Sequence, residues 1–114
     1  MSAEKGNLNE WLALMADASR GSHYANLYKR VHRMLQVPSR SRGSVSLFKL
    51  NSATKEGDNV IVPKKVLASG KVDHKFNIAA LEYSTGALKE LKSAGCNVIS
   101  IKEMVGKNRI SVVV

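Results

Sequence analysis

The spacing of apolar residues changes near residue 44, and no other feature constrains the fold of this chain as much. Leu8, Trp11, Leu12 and Met15 recur at three- and four-residue steps, as do Tyr24, Leu27, Tyr28, Val31, Met34 and Leu35, so each set lines one side of a helix. Asn7 with Glu10 has capping-box spacing and predicts a first helix over 8–18; Ser22 is placed to cap a second that runs to about Gln36 and stops before Pro38. From Val45 the pattern turns to short extended runs. Val45, Leu47 and Phe48 or Leu50 suggest one strand, 59–62 a second, 65–67 a third, and 76–81 a longer one with Phe76, Ile78 and Ala80 on one face. Glu56-Gly57-Asp58-Asn59 supplies turn chemistry between them.

Ser84 is placed to cap a helix whose Ala87, Leu88, Leu91 and Ala94 face inward, with Gly95 at its stop. A strand over 97–99 follows. Ser100 with Glu103 repeats the capping spacing for a short helix carrying Ile101, Met104 and Val105, and 109–114 closes the chain as a strand. The second half thus reads β, β, α, β, α, β without an exact internal repeat, and the expected class is α+β (α/β-like), an N-terminal helical pair followed by a mixed domain. At 114 residues the chain has room for one domain with a modest core, so 1–44, the helical pair with its connector, and 45–114 are expected to pack as one unit.

Charge is distributed unevenly over this frame. Between Ala18 and Lys55 there is no acidic residue but there are eight basic ones, and the net charge of +9 divides into −2 over 1–19, +7 over 20–50 and +4 over 51–114. An ordinary solvated surface mixes its signs, so an unopposed run of this length points to a polyanion as partner. The second predicted helix presents Asn26, Lys29, Arg30 and Arg33 opposite its apolar stripe, and Pro38-Ser39-Arg40-Ser41-Arg42-Gly43-Ser44 is a polar, basic connector able to follow a phosphate backbone. Aromatic residues make up only 5% of the chain, which favours recognition of backbone and shape over a platform of stacked bases.

Other chemistries fit poorly. Cys96, the single cysteine, can form neither an internal disulfide nor a zinc pair, and reads as a small buried apolar residue in a reducing compartment. His23, His32 and His74 lack metal-ligand spacing, and Gly57 and Gly70 lie in no phosphate-loop pattern. Asp73-His74-Lys75 invites an acid–base reading, but adjacent side chains of an extended segment point to opposite faces, and nothing ties Cys96 to them. Trp11 has the phase of a helix anchor. No apolar stretch approaches the roughly 20 residues that span a bilayer, and the N-terminus lacks a signal-peptide core, so a soluble intracellular protein is expected.

The stretch from Thr54 to Leu67, continuing through Gly70-Lys71-Val72-Asp73-His74-Lys75 to Ala79-Ala80-Leu81, resembles large-subunit ribosomal protein eighteen of archaea and eukaryotes. The resemblance extends to the two opening helices, the basic connector, Val45-Ser46-Leu47-Phe48-Lys49-Leu50-Asn51 and the Ala94-Gly95 step, and the compact length looks more like the archaeal form. It implies an irregular β-β-α superhelical domain of the kind in bacterial large-subunit ribosomal protein fifteen. It implies no enzyme and no cofactor, but a cytoplasmic, ribosomal protein whose partners are large-subunit rRNA and neighbouring ribosomal proteins. The residues then expected to meet rRNA are Lys29, Arg30 and Arg33 on the helix, Arg40 and Arg42 in the connector, and Lys49, Lys55, Lys64, Lys65, Lys71, His74 and Lys75 in the core. A free-standing RNA chaperone or regulator built on the same fold is the alternative. Family members usually carry Gly where this chain has Lys64, which would make Lys64 mildly strained if its turn needs a positive φ.

Overall fold

Val60-Ile61-Val62 and Ile78-Ala79-Ala80-Leu81 are apolar without alternation, the pattern of strands covered on both faces. In the computed structural model, which describes the backbone of 2–5 and residues 8–20, 24–37, 43–107 and 109–114, they lie in the two central strands. These are β3 (Asn59–Leu67) and β4 (Asn77–Ser84), parallel to each other. Each is flanked on its outer edge by two short strands. Along β3 run β6 (Ile110–Val112) beside Asn59–Ile61 and β2 (Ser44–Ser46) beside Lys65–Leu67, both parallel. Along β4 run β5 (Asn97–Val98), parallel, and β1 (Ser2–Lys5), antiparallel and bulged between Ser2 and Glu4.

Helices cover both faces of this mostly parallel sheet, so the molecule is a mixed helix-and-sheet fold, α+β with the α/β-like layering expected. One face receives α1 (Leu8–Ala18), α2 (Ala25–Leu35) and the short α5 (Ile101–Val105): Trp11, Met15, Tyr28, Val31, Leu35, Ile101 and Met104 close over Ile61, Ala79 and Leu81. The other receives α3 (Leu47–Ala53), α4 (Thr85–Ser93) and the crossover 68–76, with Leu47, Leu50, Val72, Phe76, Ala87 and Leu91 over Val60, Val62, Val66, Ile78 and Ala80. Phe76, Ile78 and Ala80 share a face, as their alternation predicts. The capping serines also behave as expected. Ser84 Oγ accepts from Ala87 N–H and Ser100 Oγ from Glu103 N–H, each at 3.2 Å, and Gly95 ends the α4 turn at φ +87.

Four expectations are corrected. The segment after Ser46 is a helix and not a strand, because Ser46 Oγ caps it by accepting from Lys49 N–H at 3.2 Å while Leu47 and Leu50 bury themselves one turn apart. The strands expected over 59–62 and 65–67 are one strand, whose register shifts between Val62 and Lys65 so that Pro63, which lacks an N–H, is accommodated. Lys64 therefore lies in extended structure. The positive-φ residue other than glycine among the described residues is Arg109, at φ 54. Finally, α2 opens on Tyr24, whose side chain makes no capping hydrogen bond. The proposed caps Asn7 and Ser22, the stop at Pro38, and with it Arg40 and Arg42, lie outside the described residues.

The parallel strands are held in register by a ladder of amides. Asn59, Asn77 and Asn97 stand opposite one another at the starts of β3, β4 and β5. Asn97 Nδ2 donates to Asn77 Oδ1 and Asn77 Nδ2 to Asn59 Oδ1, each at 2.8 Å.

Candidate nucleic-acid interface

Two crossovers run side by side on one face of the sheet: α3 with its following turn, 47–58, and the segment 69–77 that returns the chain from β3 to β4. Hydrogen bonds join them along their length. Phe48 N–H donates to Ser69 O at 2.9 Å, Asp73 N–H to Asn51 Oδ1 at 3.0 Å, Lys75 N–H to Glu56 Oε2 at 2.7 Å, Gly57 N–H to Lys75 O and Asn77 N–H to Asp58 O at 2.8 Å. Gly70 is what lets them approach. At φ +104 it turns its α-carbon against Phe48, where a β-carbon would lie 2.6 Å from the Phe48 nitrogen.

This zipper determines the electrostatics. Glu56, Asp58 and Asp73 are the local carboxylates, and each is directed at the chain itself: Glu56 accepts from Lys75 N–H, Asp58 Oδ2 from Lys55 N–H at 2.8 Å, and Asp73 Oδ1 meets His74 Nδ1 at 2.8 Å. The His74 contact, and then Asn51, hold the Asp73 carboxyl below the usual carboxylate range. Lys55, Lys71 and Lys75 are exposed, and among the described residues the ion pairs are Arg20–Asp17 and His74–Asp73, so no lysine of this face is paired. Lys49 is also exposed, but its ammonium donates to Val114 O. Lys64 and Lys65 are half-buried on β3 beside β2: Lys65 pairs with Ser44, and Lys64 Nζ would lie 3.9 Å from a β-carbon at Gly43.

Asp73 and His74 do converge, contrary to the expectation from an extended backbone. The chain bends at His74, and the ring bridges from Asp73 to Thr54, whose Oγ1 lies 2.7 Å from Nε2. The array is unsuited to nucleophilic catalysis. Thr54 is only 6% exposed and its hydroxyl donates to Leu50 O at 2.7 Å, so it serves as a link between α3 and the crossover. Cys96 is buried beneath, its thiol pushed up by burial and directed at His74 O. No group of three or more His, Cys, Asp or Glu among the described residues is placed to hold a metal ion, and no helix among them is long and apolar enough to cross a membrane.

The second basic surface lies across the sheet. Lys29, Arg30, Arg33 and Asn26 are all exposed on α2, while Tyr28, Val31 and Leu35 are buried on its opposite side. Two tyrosines orient this helix: Tyr28 Oη donates to Val105 O at 3.2 Å, and Arg109 N–H donates to Tyr24 Oη at 2.8 Å. Lys107 and Arg109, which sequence periodicity did not single out, are thereby attached to the α2 end of the molecule. The structure thus places the helix cations on one side of the sheet and Lys55, Lys71, His74 and Lys75 on the other. Trp11 is buried at 3% exposure, in keeping with an anchor.

No protein-family model matches this chain. Among curated proteins it is similar to large ribosomal subunit protein eL18 of Sulfurisphaera tokodaii, 43% identical over 75 residues, which are 66% of this chain and 64%, just under two thirds, of that protein. The match to the eL18 protein of Pyrobaculum aerophilum is 36% identical over 90% of this chain and 86% of that protein. For Methanoregula boonei eL18 the figures are 32%, 92% and 88%. With identities above 30% sustained over nearly nine tenths of the length of two of these proteins, the chain belongs to the large ribosomal subunit protein eL18 family.

Proposed function

We propose that this chain is a structural constituent of the large ribosomal subunit that binds and stabilises folded rRNA by phosphate neutralisation, with neighbouring ribosomal proteins as its other partners and the cytoplasmic ribosome as its location. It carries out no reaction. The observation that supports this reading is the division of labour on the crossover face, where carboxylates bond to backbone N–H groups and to His74 while Lys55, Lys71 and Lys75 stay exposed. The hydrogen bonds aim these carboxylates at the chain while the lysine ammonium groups point to solvent, where they can offset repulsion between RNA segments packed on either side. Lys64 and Lys65 with Lys49 extend it along β2, Lys29, Arg30 and Arg33 make a second contact, and Arg40 and Arg42 belong to the connector between them. The helical pair of 1–44 and the rRNA-binding core of 45–114 act as one unit in this reading.

Salt titration of binding to a large-subunit rRNA transcript tests it. Contact with about six to ten phosphates predicts a loss of roughly three to five decades in affinity between about 50 and 200 mM salt. A flat response removes phosphate neutralisation as the mechanism. Cosedimentation with large subunits after a high-salt wash separates a resident constituent from a free-standing RNA chaperone, which washes off.

A further inference from the structure

Phe48 is the most exposed large apolar side chain among the described residues, at 70%. Its ring is in water, yet its backbone is among the most constrained of the crossover face. Ser46 caps the turn it sits on, Ser52 Oγ donates to Phe48 O at 3.0 Å, Phe48 N–H donates to Ser69 O at 2.9 Å, and Gly70 is pressed against it from outside. The neighbours Leu47 and Leu50 are fully buried, so α3 cannot roll to hide the ring without exposing them. The immediate surroundings are Lys49, Ser52, Ser69, Gly70 and Lys71, all exposed and none acidic. Asp73, two residues beyond Lys71, is exposed and its carboxylate meets His74.

From this combination we infer that Phe48 is a stacking anchor for one unpaired base of the RNA, with Lys71 and the adjacent lysines holding the flanking phosphates. This rests on the rRNA-binding reading above and adds to it a contact with a base. Stacking needs a flat π-face held at fixed height above a cationic floor, and any of the four bases satisfies it. Low aromatic content argues against a platform for several bases and leaves room for a single ring. A protein pocket would also accept an exposed ring, but the lysines around Phe48 favour a polyanion as the molecule that delivers its occupant.

The test uses the full chain, a large-subunit rRNA transcript, and Phe48→Ala, Phe48→Leu and Phe48→Trp. Alanine and leucine should each lower affinity roughly 5- to 150-fold, the range carried by one base–aromatic stack, without altering the salt slope. Tryptophan should bind as the parent does, and its added emission should be quenched by RNA over the unchanged background of buried Trp11. Chemical probing should show an unpaired base that loses protection in the alanine and leucine variants while backbone protection persists. Wild-type rRNA affinity in Phe48→Ala overturns the inference, and so does wild-type affinity in Phe48→Leu, which keeps apolar bulk and loses only the π-face. If affinity is insensitive to Phe48 but incorporation into subunits falls, the ring meets a protein and the inference is equally overturned. A Lys55→Ala, Lys71→Ala, Lys75→Ala variant keeps the two readings distinguishable: loss of affinity and salt slope there, with Phe48→Ala unaffected, removes the stack and leaves phosphate neutralisation standing.

Discussion

The two faces of the sheet hold their helices by different means. The α1–α2–α5 face is an apolar contact in which Trp11, Met15, Tyr28, Val31 and Leu35 meet Ile61, Ala79 and Leu81, pinned at its rim by the hydroxyls of Tyr24 and Tyr28. The α3–crossover face has an apolar floor too, but its outer layer is a polar zipper in which carboxylates, amides, a histidine and a threonine bond loop to loop. On the first face, cations are exposed because helical periodicity turns Lys29, Arg30 and Arg33 away from the stripe. On the second, they are exposed because the acids beside them are used internally. One basic surface is a property of a helix, the other of a hydrogen-bond network, and they should fail differently when altered.

The largest effect is expected on the apolar face. Leu35→Ala empties a site that is 1% exposed and should cost about 3 kcal/mol by chemical denaturation, whereas Arg33→Ala, two residues earlier on the exposed side, should stay within about 0.5 kcal/mol and weaken rRNA binding. Destabilisation by the arginine change with intact binding would reverse the assignment of sides. Next comes Gly70→Ala, where a positive φ and a β-carbon 2.6 Å from the Phe48 nitrogen should together cost about 2 kcal/mol. Hydrogen exchange should speed at the amides of Phe48 and Asp73 while those of α2 stay protected; uniform loss across both faces would mean that the zipper is not a separate unit.

Thr54→Val keeps shape but removes the hydroxyl between Leu50 O and His74, and about 1 kcal/mol is expected, with exchange confined to 69–77. The smallest effect concerns pH. Because the folded-state carboxyl of Asp73 is held below its ordinary value, its contribution is complete above the unfolded pKa and is lost as pH falls through the folded one. Stability should therefore decline at acid pH slightly less steeply in Asp73→Asn than in the parent, as read from denaturation midpoints across the carboxylate range.

How much of this could be read from the sequence depended on whether the signal was local. Ser84 and Ser100 each cap a helix that the residues after them specify, and α1 spans 8–18 as its apolar spacing predicts. Helix α3 was missed although Ser46, Leu47 and Leu50 carried a short form of the same signal, because Val45 and Phe48 made the run look extended. β1 was not anticipated, since its pairing with β4 is antiparallel and long-range, and no local alternation announces it. The helix cations were legible as a face. The zipper was not, because contacts such as Glu56 to Lys75 N–H and His74 to Thr54 join residues about twenty positions apart through a bend that residue type alone does not specify.

The three asparagines at the strand starts act as index marks on the sheet. A strand that slips by one position moves its amide about 3.3 Å along the axis and turns it to the other face, so a register error breaks the amide bonds to its neighbours at once. The connecting segments between Asn59, Asn77 and Asn97 are thereby released from setting alignment. Their lengths can vary, as 68–76 and 85–96 already do between themselves, provided that the next asparagine arrives at its rung. Variation at this end of the molecule is thus a matter of phase more than of length.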